Sequence, residues 1–171
     1  QVDFPLRHLA GVVLRQFVET HWDPSGDKYE TPEPSAAEKA QIRQLLPALL
    51  ADERSQIRTA VSMVIATIGT VDFPEQWPSL LETLVKAIAS NNVNLIQGAL
   101  RCLVLFAEDI TDEQVSEAVP VLFPALFRIF TQGQHVVPAR AQMRAIAVYR
   151  TCASSLLTIS AHPDGKFENV L

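Results

Sequence analysis

Apolar residues recur at helical spacing along almost the whole chain, and no segment shows the alternation of a β-strand. The helices that this pattern predicts fall into pairs, whose first members begin near residues 36, 74 and 112. The pairs repeat about every 38 residues, a period typical of α-solenoids. One pair cannot bury its apolar stripe alone, so neighbouring pairs must stack. The sequence therefore predicts an all-α fold, a right-handed α-solenoid of HEAT-type helical hairpin repeats.

Seven helices are predicted from this periodicity, together with one long surface loop. The loop covers residues 22–35, which contain three prolines, one glycine and several acidic residues. The predicted helices cover residues 5–22, 36–51, 54–69, 74–89, 93–109, 112–131 and 138–160, and another is expected to begin within 165–171.

The string VDFP occurs twice, at residues 2–5 and 71–74. The two copies do not follow the period of the helix pairs, so VDFP is not the repeat unit. We predict that it starts a helix at both places. Asp can cap the free N–H groups of a first helical turn, and Pro is tolerated there. On this interpretation, Asp72 and Glu75 lie at a helix N-terminus and need no catalytic role.

The composition excludes several classes of function. The 171-residue chain has a formal net charge of -5, whereas a nucleic-acid-binding domain is expected to carry a basic stripe. Its histidines are scattered, and it contains neither a glycine-rich phosphate loop nor a Gly-x-Ser-x-Gly motif. Cys102 and Cys152 lie in apolar helical runs and are expected to be buried thiols. We therefore predict no enzyme, no metal site, no cofactor, no direct nucleic-acid contact and no membrane span.

Three motifs occur in an order that carries a family resemblance. They are RHLAGVVLRQFVETHW at residues 7–22, DFPEQWPSLL at 72–81 and QGALRCLVLFAEDI at 97–110. Together they resemble the N-terminal domain of the importin-β (karyopherin-β) superfamily. Two positions depart from the family pattern, because Phe73 stands where a Trp is usual and Arg15 where a Lys is usual. Phe73 keeps an aromatic ring at its position, and Arg15 keeps a cation.

The resemblance also implies a domain organisation. The domain of the importin-β type would cover about residues 5–110, followed by a further HEAT repeat at 112–160 and the start of another at 165–171. Residues 1–171 would then be the N-terminal HEAT-repeat segment of a longer chain.

The resemblance further implies partners and a location. Receptors of this superfamily bind Ran-GTP through the inner helices of their N-terminal repeats, and Ran-GTP releases their cargo in the nucleus. Basic proteins such as histones are the expected cargo, and the Phe-Gly repeats of nucleoporins are expected on the convex face. Such a receptor would shuttle between cytoplasm and nucleus through the nuclear pore.

Polar residues on the second helix of each pair are the candidates for partner contacts, because those helices line the concave face of a HEAT solenoid. For any single residue, a solvated helix face remains the simpler interpretation. The candidates for contact with Ran-GTP or cargo are Arg7, Arg15, Glu19, Arg58, Asn94, Gln97, Arg101, Arg140 and Arg144.

Two alternatives remain open from the sequence. A generic HEAT-repeat scaffold or regulatory subunit would share the fold, although it has no counterpart of DFPEQWP followed by GALRCL. An exportin would share the N-terminal domain, since import and export receptors differ in how cargo binding is coupled to Ran-GTP.

Overall fold

A computed structural model of the chain describes residues 3–131 and 138–160, and the regular elements in these ranges are all helical. Residues 165–171, predicted to begin another helix, lie outside the described residues. The elements are α1 Phe4–His21, α2 Ala36–Leu45, a 3₁₀ helix Leu46–Ala51, α3 Ser55–Asp72, α4 Leu80–Ile88, α5 Val93–Asp109, α6 Asp112–Thr131 and α7 Ala139–Ser160. The predicted loop at residues 22–35 is free of regular structure apart from turns.

The helices form two layers, as a solenoid of hairpins requires. Helices α1, α3, α5 and α7 pack side by side in chain order and form what we call the odd-helix layer. Helix α4 packs on α5, α6 packs on α7, α4 and α6 also contact each other, and the 3₁₀ helix packs on α3 and α5. The predicted all-α solenoid of stacked helix pairs is confirmed.

The four helices of the odd-helix layer run in the same direction. Arg54, directly before α3, lies over the ring of Phe4 at the start of α1. Arg58 near the start of α3 contacts Gln97 near the start of α5, and Arg144 near the start of α7 contacts Gln97 as well. At the other end, the rings of Phe73 and Phe106 meet edge to face with centroids 5.9 Å apart. All helix N-termini of this layer therefore lie along one edge.

One continuous apolar core runs through both layers, from Trp22 after α1 to Cys152 in α7. The aromatic residues Phe73 and Trp77 belong to this core and are each 5% exposed. Cys102 and Cys152 are both buried, as predicted, and burial raises the pKa of each thiol.

The predicted helix over residues 36–51 is divided in two. The α-helix ends at Leu45, and a 3₁₀ helix continues from Leu46 to Ala51. Pro47, near the start of the 3₁₀ helix, has no N–H to donate to the carbonyl four residues earlier, and its ring would clash with that carbonyl. The chain tightens into a 3₁₀ helix at this point.

The first VDFP copy starts a helix, as predicted. Asp3 is the N-cap of α1, and its carboxylate accepts a hydrogen bond of 2.8 Å from the backbone N–H of Phe4. Pro5 follows in the first turn.

The prediction for the second copy was wrong, because there VDFP ends a helix. Helix α3 continues to Asp72, and the N–H of Phe73 still donates to the carbonyl of Gly69 at 3.0 Å. Helix α4 begins only at Leu80. A helix starting at Pro74 would place Pro78 four residues later, where its ring would clash with the carbonyl of Pro74. Asp72 and Glu75 are therefore not at a helix N-terminus, and the capping role predicted for them is wrong.

Asp72 instead joins three segments by buried polar contacts. Its carboxylate accepts hydrogen bonds from the indole N–H of Trp22 at 3.1 Å and from the guanidinium of Arg43 at 2.6 Å. Only 6% of the Asp72 side chain and 15% of the Arg43 side chain are exposed. The end of α1, helix α2 and the end of α3 are thereby held together.

Gly98 allows α5 to approach the 3₁₀ helix closely. A Cβ atom at this position would lie 2.5 Å from the backbone oxygen of Leu50, which cannot move aside as a flexible side chain could. The carbonyl of Gly98 also accepts a hydrogen bond of 3.1 Å from the buried hydroxyl of Ser62. The Gly of the GALRCL motif is therefore required by packing.

Within residues 3–131 and 138–160, no helix has the length and apolarity needed to cross a membrane.

We expect Gly98→Ala to destabilise the fold by about 1–3 kcal/mol, since the new methyl group would overpack the contact with the Leu50 carbonyl. Urea unfolding followed by circular dichroism measures this change. Gly26→Ala is the matched control, because its Cβ would come no closer than 3.3 Å to another atom in an exposed turn. Equal stability of both variants would contradict the close approach.

We also expect Asp72→Asn to lower the free energy of unfolding by about 2 kcal/mol, because it leaves the largely buried Arg43 guanidinium without a counter-charge. The same unfolding measurement applies. Glu75→Gln removes an exposed carboxylate three residues away and is expected to change stability by less than about 0.5 kcal/mol. A similar small effect for both variants would show that the buried contacts of Asp72 contribute little.

Candidate functional site

All nine candidate contact residues lie on the odd-helix layer, and the structure places them in different surroundings. Seven of them lie near the edge where the helices of this layer begin. Those seven are Arg7, Arg58, Asn94, Gln97, Arg101, Arg140 and Arg144.

Arg7 and Arg58 are connected through Asp52, in the turn that follows the 3₁₀ helix. The guanidinium of Arg7 forms an ion pair with the Asp52 carboxylate. The guanidinium of Arg58 donates to the backbone carbonyls of Asp52 at 2.6 Å and of Glu53 at 3.0 Å. Arg58 is 8% exposed, so it acts in part as a structural residue that fixes this turn.

Gln97 connects residues from the first two turns of three helices. Its side-chain oxygen accepts a hydrogen bond of 3.3 Å from Arg58 on α3. Its backbone carbonyl accepts one of 2.8 Å from Arg144 on α7. The guanidinium groups of α3 and α7 are therefore both drawn towards the same residue of α5.

Two further arginines lie one helical turn from these contacts. Arg101 follows Gln97 by four residues on α5, and Arg140 precedes Arg144 by four residues on α7. Side chains four residues apart on a helix are neighbours on the same face. We call the group Arg58, Arg101, Arg140 and Arg144 the arginine patch.

The positive charges of the patch act on one another. The pKa of Arg144 is lowered, first by partial burial and then by the nearby charges of Arg140, Arg101 and Arg58. The side chain of Arg140, the second residue of α7, also lies at the positive end of a helix dipole, which disfavours a cation. The arrangement therefore carries an electrostatic cost in the free chain.

Among the described residues, no carboxylate pairs with an arginine of the patch. Asp52 lies next to Arg58, but its carboxylate accepts from Arg7 and from the backbone N–H of Arg54. The Nε atom of Arg101 is buried and has no hydrogen-bond partner within the described part of the chain. The patch is thus a local excess of positive charge in a chain whose net charge is -5.

Three further candidates are not members of the patch. Arg15 and Glu19 form an ion pair with each other on α1, with Arg15 Nε 2.7 Å from Glu19 Oε1, and both side chains are exposed. Arg15 also points towards the sulfur of Met63 at 3.2 Å. Asn94 lies in the first turn of α5, where its backbone N–H donates to the N-cap Asn92.

Acidic residues collect at the opposite end of the same helices. Arg58 and Asp72 lie at opposite ends of α3, about 21 Å apart along the helix axis. Near Asp72, the start of α6 is tied to the end of α3, because the Gln114 amide donates to the carbonyls of Thr70 and Phe73. Three carboxylates line a surface cavity there, and we call them the acidic end: Glu75, Glu113 and Glu117.

No metal site accompanies these groups, since no set of three His, Cys, Asp or Glu side chains within residues 3–131 and 138–160 is arranged to hold an ion.

Comparison with known proteins identifies the family to which the chain belongs. Residues 1–67 match the family described as "Importin-beta N-terminal domain", and residues 54–120 match the family described as "Exportin 1-like protein". The two matches overlap on α3 and together extend from α1 into α6. The chain belongs to the importin-β superfamily.

The similar curated proteins include both import and export receptors. Importin-9 of Drosophila melanogaster is 34% identical over 160 residues, which cover 92% of this chain and 15% of that protein. Importin subunit beta-5 of Schizosaccharomyces pombe is 28% identical over 97% of this chain and 17% of its own length. Exportin-2 of Dictyostelium discoideum is 31% identical over 53% of this chain and 9% of its own length. The chain thus spans less than a fifth of each of these relatives.

The similarity to Importin-9 extends beyond the motifs of the superfamily. The stretches VETHW, IRQLLPALL and VPVLFPALFRIFT at residues 18–22, 42–50 and 119–131 resemble importin-9-type receptors. The Drosophila relative bears out this resemblance. None of the relatives named above carries the name of an enzyme.

The sequence located the patch arginines but missed the residues that organise them. Asp52 links Arg7 to Arg58, and it was not among the candidates. The Asp72 contacts with Trp22 and Arg43 were also missed, since they join residues 50 and 29 positions apart. A charged residue directly after a helix, as Asp52 is, was the one local signal that pointed to such a role.

We expect Arg140→Gln to raise the free energy of unfolding by about 0.5 kcal/mol at low salt, since it relieves repulsion within the patch and at the α7 N-terminus. The gain should shrink at about 0.5 M salt, where exposed charges are screened. Urea unfolding at both salt concentrations measures this effect. Arg150→Gln, at another exposed arginine of α7, is the control and should change little. A gain of the same size in the control would contradict repulsion within the patch.

Proposed function

We propose that this chain is the N-terminal, Ran-GTP-binding part of a nuclear transport receptor. The receptor would carry basic protein cargo, histones among it, through the nuclear pore and release it when Ran-GTP binds. Residues 1–171 would form an N-terminal HEAT-repeat segment, with the importin-β-type domain at about 5–110 and a further repeat at 112–160.

The match of residues 1–67 to the importin-β N-terminal domain is the observation that carries this proposal. The matched region includes α1, α2 and most of α3, and four of the nine candidate contacts lie in it. Those four residues are Arg7, Arg15, Glu19 and Arg58. The other five candidates follow on α5 and α7, the next helices of the same layer.

The charge distribution supports a division of this surface between two partners. A basic cargo would be repelled by the arginine patch, because like charges brought together cost free energy. We therefore assign the patch to the Ran-GTP interface. The acidic end, with Glu75, Glu113 and Glu117, has the charge that would attract a basic cargo.

Thermodynamic linkage would couple the two partners. If Ran-GTP and cargo favour different curvatures of one solenoid, then each weakens the binding of the other by the same factor. A stack of repeats that contact only their neighbours can change curvature through small adjustments at each interface. Shuttling between cytoplasm and nucleus, with nucleoporin Phe-Gly repeats on the opposite face, completes the proposal.

An exportin is the second candidate function. The match of residues 54–120 to the Exportin 1-like family and the similarity to Exportin-2 favour it. In an exportin, Ran-GTP would strengthen cargo binding, so the sign of the coupling separates the two functions.

We expect this chain to bind Ran loaded with a non-hydrolysable GTP analogue at least about tenfold more tightly than Ran-GDP in titration calorimetry. Arg101→Glu should weaken the binding about tenfold or more, since it replaces a cation at the interface by an anion. Arg150→Glu, with the same charge change outside the patch, should leave the affinity within about twofold.

The same titrations with Ran-GTP analogue and Ran-GDP are repeated on the full-length receptor. Selectivity for the GTP form in neither the chain nor the receptor would contradict the proposal and favour a generic HEAT scaffold. An equal loss for Arg101→Glu and Arg150→Glu would contradict the assignment of the patch while leaving Ran-GTP binding itself intact.

A further inference from the structure

The arginine patch combines high local charge with fixed geometry. Arg58 and Arg144 are held by hydrogen bonds to Gln97, so their guanidinium groups do not need to be ordered by a ligand. Arg140 is exposed and extends the patch towards solvent. A ligand that binds here would lose little side-chain entropy in the protein, which favours affinity.

The charges of the patch are not neutralised by the described part of the chain. No carboxylate pairs with its four arginines, and the Nε of Arg101 has no hydrogen-bond partner there. Arg140 and Arg144, four residues apart on α7, repel each other. An anion from another molecule would relieve this repulsion and form charge-assisted hydrogen bonds, which are stronger than neutral ones.

We propose that the arginine patch binds an acidic peptide segment of a partner protein in an extended conformation. Side chains two residues apart in an extended peptide lie on the same face, about 6.6 Å apart. Side chains four residues apart on a helix are separated by a similar distance, about 5–6 Å. Carboxylates at alternate positions of the peptide therefore match Arg140 and Arg144, and the patch selects an acidic-x-acidic pattern.

The surroundings favour a short peptide over a nucleic acid. A single-stranded nucleic acid needs a basic groove that follows its backbone for several nucleotides, with aromatic side chains for stacking. Next to Arg58, the turn at Asp52 and Glu53 introduces negative charge, and the acidic end lies at the other end of the same helices. A long polyanion that continued beyond the patch would meet these carboxylates.

The inference deepens the proposed function, and its link to transport rests on that function. If the patch belongs to the Ran-GTP interface, the segment of the bound protein that meets it is acidic. The preference for carboxylates is a property of the purified chain alone. It is therefore tested without Ran, and its failure is distinct from failure of the Ran-GTP titration.

The test uses fluorescence anisotropy of a labelled peptide of alternating Glu and Ser, with a peptide of alternating Gln and Ser as its neutral match. We expect saturable binding of the Glu peptide alone, weakening steeply between about 0.05 M and 0.5 M salt. Arg140→Glu should reduce the affinity about tenfold or more. This position is chosen because Arg140 is exposed and the variant is expected to fold, which circular dichroism verifies.

Arg150→Glu is the matched control, since it makes the same charge change on the same helix outside the patch. An equal loss of affinity in both variants would overturn the proposal, because it would indicate non-specific attraction. Absence of binding by the Glu peptide would also overturn it. A labelled single-stranded oligonucleotide that binds as tightly as the Glu peptide, and is equally weakened by Arg140→Glu, would overturn it in favour of a nucleic-acid site.

Discussion

The close packing of α5 against α3 and the 3₁₀ helix is the contact on which the rest of the structure depends. Gly98 permits it, because any side chain there would collide with the backbone carbonyl of Leu50. The neighbouring residue, Gln97, accepts a hydrogen bond from Arg58 through its side-chain oxygen and one from Arg144 through its backbone carbonyl. One turn of α5 therefore packs closely against the core through Gly98 and positions the arginine patch through Gln97. A change in this packing would alter both the stability of the solenoid and the geometry of the patch.

The repeat architecture explains why the charges are separated. Hairpins of similar length return the chain to the same edge, so the helices of the odd-helix layer all begin on one side. Arginines near the starts of α3, α5 and α7 are brought together there. Helices α3 and α5 each contribute one arginine to the patch, and α7 contributes two. Acidic residues at the start of α6 lie at the other edge, because α6 runs in the opposite direction. The chain thus presents two surfaces of opposite charge without a large net charge.

The proposed function requires partners that replace one another, and a patch of unpaired charge is suited to such exchange. The patch costs free energy in the free chain, and a ligand that neutralises it recovers that free energy on binding. Asp72, Trp22 and Arg43 fix the opposite end by buried contacts that need no ligand. The buried charge of Asp72 is therefore compensated within the fold, whereas within the described residues no carboxylate pairs with the arginines of the patch.

Particular residues show how far sequence reasoning reached. Asp3 was correctly predicted as a helix cap, and Asp72, in the same four-residue string, was not, because Pro78 moves the next helix start to Leu80. The helix over 36–51 was found, but its change to a 3₁₀ helix at Pro47 was not. In both cases a local pattern was compatible with two structures, and the neighbouring proline decided between them.

The sequence by itself determined the all-α fold, the pairing of the helices and the family, since apolar periodicity and motif order are properties of consecutive residues. It also identified the arginines as polar residues on one layer. Only the tertiary structure decided which of them meet, because Arg58 and Arg144 reach Gln97 across 39 and 47 residues of chain. Contacts over such separations depend on how the hairpins stack, and stacking is set by side-chain packing between helices that no local pattern specifies.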